Sequence, residues 1–90
     1  MAKDQLQMEF DKAESMAEKL ATASAILKGV SAVIEQQMHV MQATAFIGQV
    51  GGAAVSRFLA ILKPKIDAMQ KKTELLERML RAEIARARRL

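Results

Sequence analysis

Ninety residues with a net charge of +4, no Cys, Trp or Tyr and only three Phe make one small domain whose bulk must come from Leu, Ile, Val, Ala and seven Met. The absence of Cys excludes a disulfide framework and a thiolate metal site. Helix-forming residues together with 27% charged residues point to long helices or a coiled coil.

The opening "MAKDQLQMEF" lacks an apolar h-region, so no cleavable secretory signal is expected. Asp4 and Gln7 have the spacing of a capping box and predict a helix starting there. From Leu6, the residues Phe10, Ala13, Ala17, Leu20, Ser24, Leu27, Ser31, Ile34, Met38, Met41 and Ala45 step by alternating fours and threes. That spacing marks a heptad seam in a first arm of about residues 4–47. Gly29 lies off the seam and costs about 1 kcal/mol against Ala without ending so long a helix.

Three of the four glycines then cluster at the midpoint, in "FIGQVGGAAVSRF". Glycine takes positive φ without penalty, so a chain reversal is expected at residues 48–52. The exposed turn would comprise Phe46, Gly48, Val50, Gly51 and Gly52. A second arm of about residues 53–88 continues the spacing through Val55, Leu59, Leu62, Ile66, Met69, Thr73, Leu76 and Leu80. Pro64 cannot donate to the carbonyl of Ala60, which predicts a kink or a helix restart. Asp67–Lys71, Glu74–Arg78 and Glu77–Arg81 are acid-before-base pairs at i, i+4. The fold class read from this pattern is all-α, an antiparallel helical hairpin.

Charge supports two arms lying side by side. Residues 1–45 carry four Lys against six acids, a net −2, and residues 46–90 carry ten Lys or Arg against four acids, a net +6. The internal seam is assigned to Leu20, Leu27, Ile34, Leu62, Ile66, Met69 and Leu76. Further apolar residues remain on both arms, more than two helices can cover. Ile26, Val30, Val33, Ile61, Leu75 and Met79 are therefore the expected partner face, completing a four-helix bundle as a homodimer or heterodimer.

No catalytic constellation, metal site or cofactor site is read from the chain, and an enzyme is not expected. His39 with Glu35 is half a metal site at most, and "GQVGG" lacks the Lys-Ser/Thr of a phosphate loop. The arginine-rich end "ERMLRAEIARARRL" suits a helix C-terminus and solubility. Gln42, Gln49 and Arg57 interrupt the apolar stretch from Val40 to Leu62. Nucleic acid and membrane therefore rank below a helical partner.

In length, bipartite layout and the central "VGGAAVSRF", the chain resembles the WXG (ESAT-like) small helical proteins of type VII secretion. Gly52 would stand for the motif glycine and Val50 for its tryptophan, or Phe46-Ile47-Gly48 would supply the motif in another register. "AAVSRF" followed by "LKPKID" is similar to second-helix openings of that family. The chain has no tryptophan, and without tyrosine it lacks the family's C-terminal export signal. The resemblance implies pairing in a four-helix bundle, with a signal-bearing partner or outside secretion, or docking on a larger secreted effector. It also implies location in the bacterial cytoplasm or export without a cleavable signal. The alternative reading is a chaperone-like adaptor that holds a hydrophobic client helix of another machine.

Overall fold

A computed structural model describes the backbone over residues 2–45 and 50–89 and the side chains over residues 5–43 and 54–89. Two helices account for all of it: α1, Ala2–Ala45, and α2, Val50–Arg89. They pack as an antiparallel hairpin. Contacts run in opposite chain directions, from Ser31 with Asp67, through Ser24 with Gln70, to Glu14 with Arg88. At 1.5 Å per residue the helices are about 66 and 60 Å long, which fits a rod of 69 × 16 × 13 Å. The radius of gyration is 20.2 Å, against about 12 Å for a compact domain of this length.

The helix boundaries revise the sequence reading in two places and choose between its alternatives in a third. First, α1 begins at Ala2, so Asp4 lies inside the first turn and Gln7 donates forward to Asp11 at 3.0 Å. Second, α2 already begins at Val50, so Gly51 and Gly52 belong to its first turn rather than to a chain reversal. The first amides of a helix have no intrahelical partner anyway, so glycine costs less there than in a helix interior. Phe46 and Gly48 of the expected turn lie outside the described residues. Third, α2 runs through Pro64 without a restart. Packing along the helix outweighs the one hydrogen bond that proline removes.

The first seam lies where its spacing puts it. Phe10, Ala13, Ala17, Leu20, Ser24, Leu27, Ser31, Ile34, Met38 and Met41 are buried or half-buried, with Ala17 wholly covered and Ile34 only 6% exposed. Leu6 stays exposed. The second seam agrees at Leu59, Leu62, Ile66, Thr73 and Leu80, but Met69 and Leu76 are exposed, and Gln70 and Glu77 take their places. Ile84 continues the line.

The physical reason is on the facing helix. Ser24 and Ser31 enter the contact as small hydroxyls that need partners, and Gln70 and Asp67 supply them. Thr73, also in the seam, bonds back to the Met69 carbonyl at 2.7 Å. Among the described residues, every buried side-chain polar atom has a partner.

Candidate interaction surface

The middle of the seam is polar. Gln70 Nε2 donates to Ser24 Oγ at 3.1 Å and to Glu74 Oε2 at 2.7 Å. Ser31 Oγ donates to Asp67 Oδ1, and Lys63 Nζ donates to Asp67 Oδ2 at 2.9 Å. Asp67 thus pairs backward with Lys63 rather than forward with Lys71, while Glu74–Arg78 (2.7 Å) and Glu77–Arg81 (2.8 Å) form as the spacing predicts. Water competes for the exposed members of this network, so these bonds contribute little net stability. Their larger effect is on register, because sliding one helix by a turn would strand the serines and Gln70 unpaired.

Three carboxylate and ammonium groups feel this arrangement. The Ser31 hydroxyl and then the Lys63 ammonium hold the Asp67 carboxyl below its ordinary 3.8. Gln70, then Arg78 and Lys28, hold Glu74 below its ordinary 4.5. The bond to Asp67 raises Lys63 above its ordinary 10.5, with Glu35 adding to it. Lowered carboxyl values mean that the unfolded chain takes up protons first as pH falls, so this stabilisation is present above about pH 5 and is lost through the folded values. The Lys63 contribution is present below its ordinary value and lost only at higher pH. Thermal melts followed by circular dichroism should therefore be flat between pH 6 and 8 and fall on acidification below about 4.5. Asp67→Asn should flatten part of that fall.

Residues seven apart repeat their orientation, so rows run along each helix at fixed angles to the seam. On one flank Glu14 of α1 pairs with Arg88 of α2, which also stands 5.2 Å from the Phe10 ring centroid. Lys28 and Glu35 extend the α1 row and act on Glu74 and Lys63. A cleft of about 310 Å³ at that end is lined by Glu14, Glu18, Arg81 and Arg88, whose charges largely answer each other.

Those cross-pairs fix the charged flank, so the rows on the opposite side of the seam form the other flank. There α1 presents Met16, Val30, Ile26, Val33 and Val40, and α2 presents Val55, Met69, Leu76, Phe58 and Met79, all exposed. Large apolar side chains sit outside while Ala, Ser and Gln fill the middle of the seam. The accessible surface is 7085 Å², against about 5,200 Å² for a compact monomer of this mass.

The structure thus brings Ile26, Val30, Val33 and Met79 of the expected partner face to one flank, joined by Val55, Met69 and Leu76, which the seam assignment hid. Ile61 and Leu75 are exposed as well, but their row lies diametrically opposite the seam, on the back of α2. The missed signal was the pair of serines in α1: a polar residue on one seam asks for a polar residue opposite.

Among the described residues, no group of three His, Cys, Asp or Glu is placed to hold a metal, and His39 is exposed. Among them, no helix is long and apolar enough to cross a membrane. No protein-family model, curated protein or solved structure matches the chain.

Proposed function

We propose that this protein is a non-enzymatic helical pairing module whose apolar flank packs against the same flank of a second copy, completing a four-helix bundle. The observation that carries the proposal is the inverted distribution of bulk, with Met16, Val30, Met69 and Leu76 outside and Ala17, Ser24 and Gln70 inside. A standard interface buries about 800 Å² on each partner, and the excess surface over a compact monomer is about twice that. Burial at about 25 cal/mol per Å² supplies the drive, while the Glu14–Arg88 flank stays in water and keeps the hairpin antiparallel. The WXG resemblance suggests the setting: a small secretion-associated helical protein that pairs, or docks along a helical segment of a larger effector.

Multi-angle light scattering tests this directly. The parent chain should have the mass of two protomers, and a Val30→Glu, Met69→Glu double variant should run as a monomer that keeps its helical signal. A parent that stays monomeric at high concentration overturns the reading. A parent that aggregates alone and becomes soluble only when coexpressed with another helical chain assigns the flank to a client helix instead.

A further inference from the structure

The back of α2, turned away from α1, is basic and apolar with no acidic residue. Directly opposite the seam runs the row Ile61, Ala68, Leu75 and Ala82. Arg57, Lys71 and Arg78 border it on one side, and Phe58, Lys65, Lys72, Met79 and Arg86 on the other. Every one of these residues is exposed. Between Ala54 and Arg89 the three rows hold seven Lys or Arg and no Asp or Glu. All four acids of α2, Asp67, Glu74, Glu77 and Glu83, lie in the seam or on the rows beside it. Arg78 and Arg86 reach sideways to Glu74 and Glu83 yet stay about three-quarters exposed. Lys65, Lys72 and Arg89 form no ion pair among the described residues.

We infer that this back surface of α2 docks in plane on an anionic lipid bilayer. A partner helix would need two adjacent apolar rows to form a seam. Here a single row is flanked by cations on both sides, the pattern of a helix lying at the headgroup boundary. Long Lys and Arg stems lie along the apolar row while their heads reach lipid phosphates and carboxylates. A nucleic acid would meet the cations but gain nothing from Ile61, Leu75 and Met79, and no aromatic residue except Phe58 is there to stack on bases. The surface shares the Phe58–Met79 row with the apolar flank, but its central row from Ile61 to Ala82 and the row of Arg57, Lys71 and Arg78 lie off that flank, so changes in those two rows separate lipid binding from pairing.

Cosedimentation with lipid vesicles tests the inference. The parent should bind phosphatidylserine-containing vesicles, bind pure phosphatidylcholine weakly or not at all, and release as salt screens the cations. Arg57→Glu with Lys71→Glu should lower affinity for the anionic vesicles more than about tenfold and leave the light-scattering mass unchanged. Leu75→Ser should weaken binding without changing its salt dependence, and melts confirm that each variant folds. Equal binding to neutral and anionic vesicles overturns the inference, as does no binding to either. Salt-sensitive retention on duplex DNA with no vesicle binding overturns it too, and assigns the cations to nucleic acid. A chain that binds vesicles as a monomer upholds the lipid surface and rejects the pairing.

Discussion

Ile34→Asp is expected to unfold most of the protein at room temperature. Ile34 is the most deeply buried large apolar side chain among the described residues, at 6% exposure. Removing it forfeits about 2–5 kcal/mol of burial and packing, and the carboxylate that replaces it must be desolvated in the seam, where the Lys63 ammonium is already held by Asp67. A domain of this size holds only about 5–10 kcal/mol in total, and a two-helix rod sits at the low end. The loss is therefore comparable with the whole stability. Circular dichroism melts at matched protein concentration would show a collapsed or missing transition, because pairing couples stability to concentration. Ala32→Asp, two residues away on the exposed side, should stay within about 0.5 kcal/mol of the parent. A parent-like melt for Ile34→Asp would mean that the inner seam does not pass through Ile34.

Pro64→Ala is expected to act in the opposite direction. Pro64 is exposed in the interior of α2, where proline costs about 3 kcal/mol relative to alanine through the lost N–H and its clash with the preceding turn. Alanine would restore a donor for the Ala60 carbonyl and leave no cavity. Proline also stiffens the unfolded chain, which returns about 0.4–1 kcal/mol of that cost. The net gain should be about 2 kcal/mol, a rise in melting temperature of about 10 °C. An unchanged or lower melting temperature would show that α2 needs proline at position 64 to follow α1.

Individual residues show how much of this was legible beforehand. The α1 seam could be read from spacing alone, because Ala17, Leu27 and Ile34 satisfy burial without needing any particular partner. The α2 seam could not. Met69 and Gln70 are neighbours in sequence, and hydrophobicity favours the methionine, yet Gln70 faces Ser24 and Met69 faces out. Two of the six residues of the expected partner face were displaced for the same reason. Once Gln70 and Glu77 take the seam, Met69 and Leu76 move to the flank, while Ile61 and Leu75 rotate to the back of the helix. The central glycines were read as a reversal because glycine permits positive φ, but Gly51 and Gly52 are already helical.

The sequence by itself determined that the chain is helical, that it comprises two arms of opposite charge, and that it carries more apolar surface than two helices can hide. Those properties depend on local propensity and on sums over many residues, and both are readable without coordinates. Only the tertiary structure decided which apolar residues are hidden and which are offered. That choice turned on pairing two serines of α1 with Gln70 and Asp67 across the seam. A buried hydroxyl without a partner costs more than an exposed methionine, so the polar contacts set the rotation of α2 and sent its largest apolar side chains outward.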